Sequence, residues 1–248
     1  MPSAPVSFIT VTRNGLFFTR LLLDQLRRHT RDRAWELIVV DQGSNDGTQA
    51  WAQAQPEMRL VRRWRLLNLH HKHGEAAEAA VRMSRYAHIV LLDSDAHPIA
   101  DDWLVNSVDR LDDAHPLAGA KYINPHRGNR HGWYIRPHFM AFRKSDLGRL
   151  IVLRKMRGDD TDTGEEATIR VLDAGLGVVG HAMAWAEDFS VGHPKVPTVA
   201  GGVFHAWYVS RLLHRERWVI QETGGQVSVA AYMAPLQAKL RMIYGLDY

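Results

Sequence analysis

The 248-residue chain contains no cysteine. Disulfides, zinc–thiolate sites, iron–sulfur clusters and a cysteine nucleophile are therefore excluded. Any metal must be held by carboxylate, imidazole or water. Long hydrophobic runs are also missing. The longest, such as HIVLL at 88–92, fall far short of the roughly 18 residues a membrane-spanning helix needs. The opening MPSAPVSFITVT has neither a basic stretch nor an apolar core of signal-peptide length, and reads as a strand starting near Val6. These absences give the expectation of a soluble, cytoplasmic protein with no transmembrane segment. Lysine is scarce too, because 25 of the 31 basic residues are arginine, whose planar fork suits phosphate. A GC-rich coding bias gives the same composition. Finally, no G-x-G-x-x-G follows the first strand, which disfavours a dinucleotide-binding dehydrogenase.

What is present describes a full-sized core. Apolar residues make up 46% of the chain and charged residues 23%, with a formal net charge of +4. Disorder and fibrous repeats are unlike this composition. No internal repeat or linker is visible, and the length fits a single domain spanning 1–248.

The first half alternates strand and helix. Strands are expected at 6–12, 35–41, 58–63 and 88–93, and helices at 16–29 and 75–86. HIVLL, apolar throughout, reads as a strand buried on both faces. Such alternation predicts an α/β fold: a mostly parallel central sheet flanked by helices. The second half is less regular. A helix is expected over 101–113, strands over 117–123 and 138–143, and a polar loop over 124–137. Another helix is expected over 165–174, a strand or loop over 201–207, and terminal helices over 210–221 and 227–243.

The chemistry collects at strand ends. Asp93-Ser94-Asp95 ends the buried fourth strand, where ligands of open α/β sheets bind. Two carboxylates there can converge on a hard divalent cation and so neutralise a diphosphate. A turn capping the next element is the alternative. A second strand also ends in acid, in VVDQGSNDGT (39–48), and the first ends in TVTRNG (10–15). Asp41 can accept from a base N–H, while Arg13 or Lys72 can meet phosphates.

VSFITVTRNG, LLLDQLRRHT, WELIVVDQGSNDGT and HIVLLDSD resemble, in order and spacing, the nucleotide-sugar half of family-2 glycosyltransferases with the GT-A fold. The match covers residues 6–104, leaving 105–248 as the acceptor half with terminal helices. The resemblance implies a metal-dependent transferase moving a hexose from a nucleoside-diphosphate sugar, often a UDP-sugar such as UDP-glucose. By position, Thr10 and Thr12 would flank the base and Asp41 would contact it. Asp93 would lie near the ribose with Ser94 beside it, and Asp95 would hold Mn²⁺ or Mg²⁺. Gln42 replaces the second Asp usual in the family.

The acceptor half matches less well. Thr163-Gly164 stand where the family has Glu-Asp ahead of an arginine and Ala-Gly, here Arg170 and Ala174-Gly175. One of the flanking carboxylates Asp159, Asp160, Asp162, Glu165 and Glu166 could then serve as the general base. Asp162 is the first choice and Glu165 the second, against the reading of an acid-rich helix start favoured by the helix dipole. His205, or less readily His193, would complete the metal site. HHKHG (70–74) sits where the family has a polar loop near the diphosphate, so Lys72 or His73 can touch phosphate.

Two basic, aromatic stretches, HRGNRHGWYIRPH (126–138) and WYVSRLLHRERW (207–218), suit either of two acceptors. They can bind DNA carrying a 5-hydroxymethylpyrimidine, by phosphate contacts and base stacking. They can equally bind a saccharide, lipopolysaccharide or cell-wall polymer, since aromatic rings stack on pyranoses. A nucleotidyltransferase and a non-catalytic sugar- or nucleic-acid-binding module are the alternatives of another class. The former usually has a Gly-rich loop after the first strand, and the latter has no need of Asp93, Asp95 and an acidic helix together.

Overall fold

The computed structural model describes residues 3–62, 73–123, 129–154, 162–191, 197–206, 217–220 and 225–248. A seven-stranded sheet forms the centre, in the order β3-β2-β1-β4-β7-β6-β8. Its strands are β1 (Val6–Thr12), β2 (Trp35–Asp41), β3 (Met58–Arg62), β4 (His88–Leu92), β6 (Leu117–Ile123), β7 (Trp133–Arg143) and β8 (Val178–Ala182). All run parallel except β7, which is antiparallel to both neighbours. The fold is α/β with a largely parallel sheet, as the strand–helix alternation predicts.

The apolar periodicity explains the layers. Helices α1 (Leu16–His29), α2 (Thr48–Gln53) and α3 (His73–Met83) connect the parallel strands. One side chain set of β1 and β2, including Phe8, Leu37 and Val39, packs with Leu22, Leu23 and Leu26 of α1. The alternate set, Ile9, Val11, Ile38 and Val40, packs with Ala76, Ala77, Ala80 and Val81 of α3. Period-2 alternation in the strands thus feeds two cores, one on each sheet face.

The chain runs outward from β1 to β3 and returns through α3 to β4, on the other side of β1. Strand order reverses between β1 and β4. A crevice opens at the carboxyl ends of strands flanking such a reversal. Thr12 and Asp93 stand at that edge.

A second sheet, antiparallel and in the order β5-β11-β10-β9, lies beyond it. It comprises β5 (Ala96–Pro98), β9 (Ala184–Trp185), β10 (Thr198–Ala200) and β11 (Val203–His205). β12 (Arg217–Ile220) pairs with β13 (Gly225–Ser228), and α5 (Val229–Tyr244) follows. Tyr232, Met233, Leu236 and Leu240 of α5 pack on Phe18, Leu21 and Phe204. Among the described residues, no helix is long and apolar enough to cross a membrane.

Three expectations are corrected. The helix over 101–113 is a run of turns with a single 3-10 turn at Val108–Arg110. There Ser107 Oγ donates to Trp103 O and the Asp109 amide reaches back to Leu104 O, which breaks the regular helical ladder. The loop over 124–137 ends early, because β7 already begins at Trp133. Within 210–221, residues Arg217–Ile220 form a strand, not a helix. Trp218, Val219 and Ile220 are β-formers followed by turn-prone ETGG.

Candidate active site

The Asp93-Ser94-Asp95 turn leaves β4 and enters β5, with the Ala96 amide donating to Asp93 O at 2.9 Å. β5 pairs with β11 so that Ala96 faces His205. The Ala206 amide donates to Asp95 O at 3.1 Å. Backbone pairing therefore delivers His205 to the acids. Its Nε2 lies 3.6 Å from Asp95 Oδ1 and 3.9 Å from Asp93 Oδ2. One ligand atom from each of Asp93, Asp95 and His205 falls within 4.8 Å of the others. His73, at the start of α3, adds a ring nitrogen 3.5 Å from Asp93 Oδ1.

Burial shapes the electrostatics. Asp95 is 2% exposed and His205 6%. Desolvation, reinforced by the Arg136 guanidinium, holds the His205 imidazole well below its ordinary pKa. A neutral ring is what metal ligation requires. Two carboxylates and a neutral imidazole form an oxygen-rich donor set that fits Mn²⁺ or Mg²⁺.

Two interlocked loops stand at the ends of β1 and β2. The Asn14 amide donates to Ser44 Oγ, the Asn45 amide to Asn14 Oδ1, and the Leu16 amide to Asp46 Oδ2. Asn14 takes a left-handed φ of 52° to do so. Asp41 is fully buried and organises the second loop. Its Oδ1 accepts from the amides of Gly43 and Ser44 and from Gln49 Nε2, and its Oδ2 from Ser44 Oγ. The carboxylate expected to contact a base is thus largely occupied in shaping the loop. Thr10 and Thr12 are buried, and their Oγ1 atoms have no hydrogen-bond partner among the described residues, as is also true of Arg13 Nε. Ser94 is buried beside them.

The other flank of the site comes from β7 and α4 (Glu165–Asp173). Gly119 pairs with Met140 and Lys121 with Ile135, so β7 interposes Arg136 to Phe139 where β6 interposes only Ala120. This is a bulge, and Pro137 sits within it, where a missing N–H is tolerated. Bulges re-aim side chains, and this one presents Arg136 and His138 to the site. Asp162 accepts from Tyr134 Oη at 3.0 Å and lies 3.5 Å from Arg136 Nη2. Arg136 also stacks on Tyr122, 4.3 Å from the ring centre. Glu165, 2% exposed, reaches back to accept from the Asp162 amide at 3.3 Å. That bond is a structural duty at the helix start. Glu166 pairs with Arg170 one turn on.

Thus Asp93, Asp95 and His205 come together, and Arg136 links Asp162 to the same neighbourhood through its field on His205. Lys72, Asp159, Asp160, His193 and nearly all of the 207–218 stretch lie outside the described residues. Within the expected acceptor stretch 126–138, sequence reasoning did not single out Tyr134, Arg136 and His138, which the fold brings to this cluster. The available signal was a proline between two polar residues in an otherwise strand-forming run.

The glycosyl transferase family 2 model matches residues 7–165, more than half of the chain. The chain belongs to glycosyl transferase family 2. It is a GT-A glycosyltransferase, as the resemblance implies. No curated sequence matches it. Among solved structures, a mannosyltransferase from Pyrobaculum calidifontis in complex with GDP-Man and Mn²⁺ is similar at a TM-score of 0.56 and 20% identity. The match covers 98% of this chain and 76% of that one. Glucosyl-3-phosphoglycerate synthase from Mycobacterium tuberculosis, in complex with Mn²⁺, UDP and phosphoglyceric acid, is similar at 0.52 and 16% identity, over 72% of this chain and 69% of that one.

Proposed function

We propose that this glycosyltransferase moves a hexose from a nucleoside-diphosphate sugar to a saccharide hydroxyl, with Asp93, Asp95 and His205 holding Mn²⁺ or Mg²⁺. The observation that carries the reading is the convergence of these three side chains at the sheet's strand-order reversal. When bound, the cation supplies positive charge against the departing diphosphate. The chain's own residues do the rest. Thr10, Thr12, Arg13 and Ser94 line the nucleotide side, where the threonine hydroxyls await a polar partner. Asp162 accepts the acceptor hydroxyl's proton as that oxygen bonds to the anomeric carbon and the bond to the diphosphate oxygen breaks. Tyr134 and Arg136 hold the Asp162 carboxylate in place. Glu165, buried and committed to the Asp162 amide, serves the helix start.

DNA as acceptor requires basic side chains facing outward for phosphates. In the described part of 126–138, Arg130 and His131 pair with Asp173, and Arg136 pairs with Asp162. These pairings reduce the positive charge offered to a phosphate backbone, which favours an uncharged saccharide. The donor is expected to be a UDP-sugar such as UDP-glucose; GDP-mannose is the alternative, because the two structural neighbours differ in nucleotide.

A donor screen tests the reading. UDP-glucose, other UDP-sugars and GDP-mannose are incubated with Mn²⁺, with and without oligosaccharides or DNA bearing 5-hydroxymethylpyrimidines. Hydrolysis or transfer that disappears in EDTA and in Asp95→Ala supports it. Activity untouched by either overturns the metal assignment, and transfer to the modified DNA replaces the saccharide acceptor.

A further inference from the structure

The bulge in β7 places His138 against His205. The two imidazole rings are 4.1 Å apart, centre to centre, and only 5° from parallel. Both are buried, His138 at 2% exposure. The same residue supports the first acid, because the Asp93 amide donates to His138 O at 3.4 Å. His138 thus touches two members of the Asp93–Asp95–His205 group without joining it. A face-to-face ring directs its nitrogens in a plane parallel to those of His205, so it stacks behind the donor set and does not ligate.

We propose that His138 is a positioning residue for His205, its ring face fixing the plane in which His205 presents Nε2 to a divalent cation. The physical need is clear. An imidazole on a strand rotates about χ2, which is broad and loosely determined. Nε2 must nevertheless stay 3.6 Å from Asp95 and 3.9 Å from Asp93. A flat partner at stacking distance removes that rotation. Partners that orient a ligand commonly govern metal affinity by about 10- to 100-fold. The inference rests on the metal reading of Asp93, Asp95 and His205 given above.

The test measures Mn²⁺ binding to the full chain by titration with the metal alone, followed by electron paramagnetic resonance of free Mn²⁺. His138→Ala is expected to weaken binding about tenfold. His138→Phe keeps a flat ring and should stay within about threefold of the unmodified protein. His138→Leu fills the volume without a face and should resemble the alanine variant. In a His205→Ala background, His138→Ala should cause no further loss, as expected when one residue acts through the other. Thermal melts establish that each variant folds, and the phenylalanine and leucine pair keeps the comparison valid if alanine does not.

Equal binding by the phenylalanine and leucine variants overturns the proposal, as does full additivity in the double variant. Asp95→Ala separates this failure from that of the metal site itself. If Asp95→Ala binds as tightly as the unmodified protein, the metal reading fails and takes this inference with it. If Asp95→Ala loses binding while His138→Leu does not, only the role of His138 is lost.

Discussion

Asp95 and His205 are joined twice. Side chain meets side chain at 3.6 Å, and the amide following His205 donates to the Asp95 carbonyl at 3.1 Å. The backbone bond is independent of what the side chains do. Removing the Asp95 carboxylate therefore spares the β5–β11 junction. It also removes a buried negative charge beside Asp93.

Asp95→Ala should consequently keep the fold. Addition of Mn²⁺ at about 100 times its dissociation constant should stabilise the parent by about 2.7 kcal/mol. Asp95→Ala should gain almost nothing. Thermal denaturation with and without Mn²⁺ reads both effects. A parent melting temperature indifferent to Mn²⁺, or a variant that responds equally, would contradict the assignment.

Acid should destabilise the metal-free protein well before its carboxylates titrate. His97 is fully buried, donating to or accepting from Tyr244 Oη at 2.8 Å, and burial pushes its pKa down to about 3. His138 and His205 are held low for the same reason. In the unfolded chain each returns to about 6.5. Below that pH the unfolded state binds protons that the folded state refuses. The stability that neutral burial allows is complete above about 6.5 and is lost progressively as pH falls towards the folded pKa. Urea melts between pH 7.5 and 4.5 should show a slope near 1.4 kcal/mol per pH unit for each such histidine. His97→Gln can still bond Tyr244 and should flatten the slope by about one proton. An unchanged slope would show that His97 protonates freely in the fold.

The sheet was readable where burial on two faces dictated the residues. β1, α1 and β2 have the bounds that apolar spacing predicts, 6–12, 16–29 and 35–41. The acids at strand ends were readable because a carboxylate after an apolar run has few structural uses. His205 was one of 14 histidines. The family resemblance put it ahead of His193, but what brings it to the acids is the pairing of Ala96 with His205, and pairing between distant strands leaves no local mark. The bulge was hidden for a related reason. Arg136-Pro137 reads as loop because proline and charge are poor in regular strands, yet a bulge accommodates both. Asp41 has a structural role that its sequence does not announce. Its position at a strand end points to a ligand, while its hydrogen bonds show it tying Gly43, Ser44 and Gln49 together.

Asp162 and Glu165 should separate by experiment. Asp162→Asn keeps the shape and most hydrogen bonds but cannot take a proton. Turnover should fall about 10²- to 10⁴-fold, with donor binding preserved. Glu165→Gln can still accept from the Asp162 amide and should leave turnover within a few-fold. Glu165→Ala loses the bond from the Asp162 amide and should cost about 1 kcal/mol of stability. Steady-state kinetics beside urea melts distinguish these outcomes. A Glu165→Gln variant as inactive as Asp162→Asn would reassign the base.

The two glycines bounding α4 should differ sharply in what they tolerate. Gly164 has an ordinary φ of −89°, so alanine meets no backbone strain there. Its Cβ, however, would lie 1.8 Å from the carbonyl oxygen of Ile135 on β7. Neighbouring bonds lock the same contact: the Ile135 amide donates to Thr168 Oγ1, which donates to Gly164 O. Backbone on both sides leaves no flexible side chain to yield. Gly164→Ala should therefore destabilise by about 3 kcal/mol or more. Because α4 must move off β7, Asp162 shifts from Tyr134 and turnover should fall as well. Gly175, beyond the other end of the helix, has a φ of 73° and open space around it. Gly175→Ala meets only the left-handed backbone preference, about 1 kcal/mol, and should leave turnover unchanged. Equal effects on stability and turnover at both positions would mean that the docking of α4 on β7 does not place Asp162.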